Sequence, residues 1–249
     1  MDNAPDLISL DNALAVYGLM IHGLLELPSG DALLPIKGRS LGTIKSASSL
    51  VLIGHAGSTF WPHFQAWFHA PLVPSAHGSR WIGDRLSDPL DAWSKQIIGG
   101  VAKAHDGEAI FPSDQPYQPF QQWAMAATGV KPSPLGILIH PAYGLWHAYR
   151  GAIVFGAVTL SQKSHVLNQE ADNLSHPCDN CSDKPCLSAC PVNAFSDGGY
   201  DVESCRAHVK SEAGMACRTG GCLARRACPV GRAYQYVPKQ MKFHMNAFI

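Results

Sequence analysis

Apolar side chains recur at helical and strand spacings through the first 160 residues of the chain, and polar residues dominate the stretch that follows. Leu7, Leu10, Leu14, Tyr17, Ile21 and Leu24 return every three or four positions, which predicts an amphipathic helix. Leu50-Val51-Leu52-Ile53 is an unbroken apolar run stopped by Gly54, the pattern of a buried strand. Ser58 to His69 carries Phe60, Phe64, Trp67 and Phe68 on one side, and Pro71 ends it. A further helix is expected from Ser87-Asp88-Pro89. Either Ser87 or Asp88 can accept from the free N–H groups, and Pro89 suits a position that needs no donor. Leu90, Trp93, Ile97, Val101 and Ala104 then share one face, and Gly107 closes the helix. A short strand near Ala109-Ile110-Phe111 and a helix from about Phe120 to Ala127 follow. Strands at Leu135–Ile139 and Gly151–Val158 are close enough in sequence to pair as an antiparallel hairpin. The predicted class is an α+β sandwich with a sheet of four or five strands.

The same pattern divides the chain. Residues 1–160 form the predicted α+β domain, and Ser161 to Pro177, polar and without apolar periodicity, reads as a linker. Residues 178–236 form a second domain and 237–249 a tail. Some 60 residues with few large apolar side chains bury too little surface to fold unaided, so a bound cofactor is expected to serve as their core.

Composition adds bounds on function. Formal net charge is zero, with 46% hydrophobic and 15% charged residues. That balance argues against nucleic acid as a partner, since such binders carry a basic excess. Apolar stretches such as Ala152–Leu160 are too short to cross a bilayer. The first residues, Met1 to Asp6, lack a basic start followed by an apolar run, so no signal peptide is expected. A cytoplasmic protein with no membrane association is the expectation.

The chemistry lies in the cysteines. All eight fall between positions 178 and 228. They read Cys178-x2-Cys181-x4-Cys186-x3-Cys190-Pro191, then Cys205, then Cys217-x4-Cys222-x5-Cys228-Pro229. Disulfides suit secreted chains, and structural zinc prefers paired short spacings, four ligands per ion. Eight thiolates are the number that two 4Fe-4S clusters need, and a Cys-Pro ending each run marks bacterial dicluster ferredoxins. The first run has four residues (Ser182 to Pro185) where the commonest ferredoxin run has two. Burying two anionic cofactors requires compensation. Arg206, Lys210, Arg218, Arg225, Arg226 and Arg232 supply positive charge. Small residues (Ala189, Gly220, Gly221, Ala224) let backbone N–H groups approach the sulfurs.

Residues 136–151, Gly-Ile-Leu-Ile-His-Pro-Ala-Tyr-Gly-Leu-Trp-His-Ala-Tyr-Arg-Gly, resemble a segment of the CblC-type cobalamin-processing proteins. The resemblance covers residues 30–158 loosely and is specific at 139–151. It implies a nitroreductase-like α+β fold. The order of the two parts and the cysteine pattern are similar to those of epoxyqueuosine reductases, which join a CblC-like domain to a ferredoxin-like dicluster module. By that resemblance Cys178, Cys181, Cys186 and Cys228 hold one cluster, and Cys190, Cys205, Cys217 and Cys222 the other. It also implies a corrinoid (cobalamin) held by His140, Trp146 and Arg150. Trp146 would be an apolar wall, Arg150 a contact for an anionic group, and His140 a hydrogen-bonding partner for a corrin amide. An acidic proton donor is matched, one residue out of step, by Asp114 in Ser113-Asp114-Gln115-Pro116, which reads equally as a loop residue.

Three functions follow. The first is an iron–sulfur reductase, taking single electrons from an external ferredoxin- or flavodoxin-type donor and passing them to a corrinoid or small-molecule ligand. The second is an electron-transfer protein whose first domain docks a partner. The third is a flavin-linked reductase, since the nitroreductase-like fold also hosts flavin.

Overall fold

The structure is a computed structural model that describes residues 6–27, 49–70, 87–156, 175–196 and 199–249. In chain order the described elements are α1 (Leu7–Ala15), β1 (Met20–Glu26), β2 (Ser49–Ala56), α2 (Trp61–His69), α3 (Pro89–Ala104), β3 (Glu108–Ile110), α4 (Phe120–Thr128), β4 (Lys131–Pro132), β5 (Leu138–Ile139) and β6 (His147–Phe155). The cysteine-rich part adds α5 (Pro185–Ser188), β7 (Phe195–Ser196), β8 (Gly199–Tyr200), α6 (Val202–Lys210), α7 (Met215–Gly220), α8 (Leu223–Ala227), a 3-10 turn (Arg232–Tyr234) and α9 (Pro238–Phe248). The class is mixed α+β, as the apolar pattern predicts. No described helix is long and apolar enough to cross a membrane.

The chain forms two compact units. One takes residues up to His55, 59–129 and the stretch from Ala148; the other takes 56–58, 130–147 and the cysteine-rich part to Ile249. The departure from the expected division is residues 130–147, which group with the cysteine-rich part, and most of the expected linker lies outside the described residues.

In the first unit, four strands form one sheet in the order β1-β2-β6-β3. β1 runs antiparallel to β2, with Leu24 opposite Val51, and β3 antiparallel to β6, with Ala109 opposite Ile153. Every residue of β2 is buried, and Leu50 to Ile53 are fully covered. Burial of each such side chain stabilises by about 1.5–3 kcal/mol. Against the sheet sit Phe60, Phe64 and Trp93, with ring centroids 5.5 to 6.4 Å apart.

Three expectations are corrected here. The first helix stops at Ala15, and Ile21 and Leu24 belong to β1, because the chain turns through a left-handed Gly18 (φ 69°). On α3 the buried face runs through Leu90, Trp93, Ile98 and Val101, and Ile97 is only half-buried. Asp88 makes no side-chain cap bond. The left-handed residue after α3 is Asp106 (φ 57°), and the Gly107 N–H donates to the Ala102 carbonyl at 2.9 Å.

Among the described residues the expected hairpin between Leu135–Ile139 and the strand from Gly151 does not form. Gly136 turns the chain, with its N–H on the Ser133 carbonyl, and leaves only Leu138–Ile139 extended, paired with Lys131–Pro132. The later strand starts at His147, four residues early, and joins the first unit's sheet. Leu135, Ile139 and Leu145 instead pack with Cys186, Cys190, Ala194, Ala224 and Cys228. The expected tail is a helix. Pro238 opens it, Gln240 and Met241 are buried, and Met241 packs with Trp146 and Tyr236.

Candidate metal centre

The eight thiols sort into two foursomes within the second unit. Cys178, Cys181, Cys186 and Cys228 line one pocket, walled by Pro177, Pro185 and Pro229 with Ile139 and Leu145 behind. Burial pushes the Cys178 thiol up to about 11, and the neighbouring Cys228, Cys186 and Cys181 sulfurs and Asp179 add to the effect. Cys186 is raised by burial and then by Cys228 and Cys181. Cys228 is also raised by burial, with the Val230 N–H and Arg232 pulling the other way.

The second foursome is Cys190, Cys205, Cys217 and Cys222. Cys217 is raised by burial first, then by Cys205 and Cys190, with the Leu223 N–H and Arg226 opposing. Burial likewise raises Cys222, which also feels Cys205 and Cys217. Backbone donors aim at these sulfurs, the Ala194 N–H reaching the Cys190 Sγ at 3.3 Å. Thiols bind a metal as thiolates, so loading of these sites would release their protons. Among the described residues no three His, Cys, Asp or Glu converge tightly enough for a single metal ion.

Tyr200 is a site residue that the sequence does not announce. Its hydroxyl bonds Cys205, and its ring stacks on Phe195 at 4.8 Å. Burial first, then that bond and the nearby Cys205, Cys222 and Cys190, raise its pKa.

The segment before β6 is locked from inside this unit. His140 and Gly144 exchange backbone hydrogen bonds at 2.9 and 2.8 Å, closing a turn over Pro141-Ala142-Tyr143. The His140 Nδ1 accepts from the Ala142 and Tyr143 N–H groups, at 3.1 and 3.2 Å, and the ring stacks on Tyr143. These bonds fix Nδ1 as an acceptor and place the neutral ring's proton on Nε2. Burial lowers the His140 pKa to about 4. The sign follows from linkage. A histidine with a depressed folded-state pKa costs stability once pH falls below the ordinary value near 6.5, and the loss levels off near pH 4. Urea midpoints of the wild type are expected to fall between pH 6.5 and 5 more than those of His140→Gln; equal slopes would rule this histidine out as a contributor.

Trp146 is buried in the same unit. Arg225 lies over its ring at 4.6 Å and over Tyr236 at 4.6 Å, so the guanidinium is held between two aromatic faces. The Arg225 Nε also donates to the Leu145 carbonyl at 3.0 Å. One cation, between Cys222 and Cys228 in sequence, thus ties α8 to residues 145–146. Nearby the backbone is in close contact: Gly144 and Gly231 are both left-handed (φ 57° and 71°) and face Val230 and Tyr143 respectively.

Asp114 and Arg150 lie in the first unit. Asp114 pairs with Lys95 at 2.9 Å, the geometry of a partly exposed ion pair. The Arg150 Nε donates to the Tyr149 carbonyl at 3.2 Å. The structure thus gathers all eight predicted thiol ligands with His140 and Trp146 in one unit, and leaves the other two candidates in the other.

No protein-family model and no curated protein matches the chain. Among solved structures it is similar to epoxyqueuosine reductase from Streptococcus thermophilus, at 15% identity and a TM-score of 0.48, covering 92% of this chain and 67% of that one. The reductase from Bacillus subtilis gives 14% and 0.48, over 92% and 65%. An epoxyqueuosine reductase with a tRNA-Tyr epoxyqueuosine-modified stem loop gives 15% and 0.45, over 93% and 66%. This chain spans about two thirds of their length. A likeness at these scores carries no argument about activity.

Proposed function

We propose that the protein is an iron–sulfur reductase whose second unit holds two 4Fe-4S clusters. The observation that carries this reading is the sorting of the thiols, with Cys228 beside Cys178, Cys181 and Cys186 and Cys190 beside Cys205 and Cys217. The donor set fits the group: four sulfurs per site, apolar walls, and backbone N–H groups aimed at sulfur. The clusters, when bound, supply one-electron transfer. The chain's own residues exclude water with Ile139, Leu145 and three prolines, and offset the anionic charge with Arg226 near Cys217 and Arg232 near Cys228.

The acceptor is less well defined. A corrinoid is what the family resemblance implies, but Trp146, the expected wall, is covered by Arg225 and Tyr236. No step is derived through a corrinoid. Nucleic acid, set aside on net charge, returns as a candidate substrate on the sequence itself. The zero balance hides a formal +7 in residues 205–249, where eight Lys and Arg face Glu212 alone, against −7 in residues 1–204.

The test is anaerobic reconstitution followed by iron and acid-labile sulfide assay, with titrations of cobalamin and of an RNA hairpin. About eight irons per chain, and an absorbance that dithionite bleaches, are expected. Colourless protein without iron would end the proposal. A flavin band in the isolated protein would move the reading to a flavin-linked reductase.

A further inference from the structure

Six of the eight cations in residues 205–249 lie on the helices that carry the second foursome of thiols or pack on them; Arg225 is held between Trp146 and Tyr236, and Arg232 follows Cys228 by four residues. Arg206 and Lys210 are exposed on α6, one turn apart and therefore on one face. Arg206 follows the ligand Cys205, and its Nε donates to the Phe248 carbonyl at 3.2 Å, reaching the end of α9. Arg218 donates to the Val209 and Lys210 carbonyls at 3.0 and 3.1 Å, holding its charge at the C-terminal end of α6. Arg226 is exposed on α8, and its N–H donates to the Cys222 carbonyl at 3.0 Å. α9 packs on α7 and carries Lys239 and Lys242, both exposed. Within residues 201–249 the acidic side chains are Asp201 and Glu203, at the opposite end of α6, and Glu212.

Two of the four thiols, Cys205 and Cys222, are only half-buried. Cys178 and Cys181 of the first foursome are half-buried as well, so the second is set apart by the cations on the helices that carry it. Met215, exposed at 49%, and Val237, at 41%, add apolar contact area within the same stretch.

We propose that this face docks an acidic one-electron carrier protein, of the flavin or iron–sulfur kind. The inference rests on the iron–sulfur reading above and assigns the electron's point of entry to the second foursome. In the transfer the carrier is oxidised by one electron and the iron held by Cys190, Cys205, Cys217 and Cys222 is reduced by one. No bond forms and no proton moves. A carrier is favoured over a polyanionic substrate because the cations share helices with the thiols of the relay, Arg206 directly after Cys205 and Arg218 directly after Cys217. Facing charges of opposite sign raise association rates by roughly 10- to 1,000-fold at low salt.

The experiment uses the reconstituted full chain and an acidic flavodoxin. Binding of oxidised flavodoxin is read by flavin fluorescence anisotropy, and cluster reduction by reduced flavodoxin is followed by stopped-flow absorbance. Wild-type binding is expected to weaken about 10-fold or more as salt rises from low to physiological strength. Arg206→Glu/Lys210→Glu and Lys239→Glu/Lys242→Glu are each expected to lose roughly 10-fold in affinity and in reduction rate, with iron content unchanged. Reduction by methyl viologen radical, a small cation, should not slow in either. Should a reversal cost iron, Lys210→Gln and Lys239→Gln/Lys242→Gln make the same comparison with milder changes. Unaltered flavodoxin affinity in iron-replete variants overturns the assignment, as does lost RNA-hairpin binding with flavodoxin binding intact. Iron-free wild type fails the iron–sulfur reading itself, a result read before any carrier is added.

Discussion

Cys228→Ser is expected to remove about half of the iron, about four of eight atoms per chain, and to leave the set of Cys190, Cys205, Cys217 and Cys222 loaded. The physical ground is that Cys228 lines the same pocket as Cys178, Cys181 and Cys186 although 42 residues of chain separate it from Cys186. A serine oxygen is a poor substitute for a soft thiolate toward iron. Because metal binding free energy is also folding free energy in so small a unit, the variant should unfold at lower urea as well. Iron and labile-sulfide assay beside wild type decides it. Full retention of iron would remove Cys228 from the ligand set. Loss from both sets would show the two sites to be interdependent.

Gly231→Ala is expected to destabilise the second unit by at least about 3 kcal/mol. Two costs add. An alanine at φ 71° meets the steric penalty of the left-handed region, and its Cβ would lie 2.3 Å from the Tyr143 carbonyl carbon, where backbone must shift. Gly136→Ala is the matched control. It is also left-handed (φ 75°), but its Cβ would meet nothing within 4 Å, so it pays only the conformational cost of about 1 kcal/mol. Urea unfolding of both reconstituted variants gives the comparison. If they unfold together, the contact between residues 143–144 and 230–231 contributes nothing.

The eight thiols and their two runs were legible in the sequence, and the structure brings all eight into one unit. The sorting of ligands was not legible, since spacing alone does not say that Cys228 returns past four other thiols; it entered through a family resemblance. The role of residues 130–147 was misread for a physical reason. Ile139 and Leu145 flank a turn between two apolar runs, which looks like a hairpin within the first sheet. Yet the cysteine-rich stretch has few large apolar residues of its own, and it is these side chains that supply its core. The shortage was visible in composition, while the donor of the missing surface was not. His140, expected to hydrogen-bond a corrin amide, instead holds the turn after it, its Nδ1 accepting from the Ala142 and Tyr143 N–H groups. The helix at Pro238–Phe248 was passed over because its buried face is narrow, centred on Gln240 and Met241.

The order of the ligands along the chain has a consequence for how the protein matures. The foursome of Cys190, Cys205, Cys217 and Cys222 is nested wholly inside the span from Cys178 to Cys228. A growing polypeptide therefore presents the inner quartet complete before the outer one has its last member. Under the proposed pairing, a chain cut short after Cys222 would retain every thiol of the inner set while lacking Cys228, the last member of the outer one.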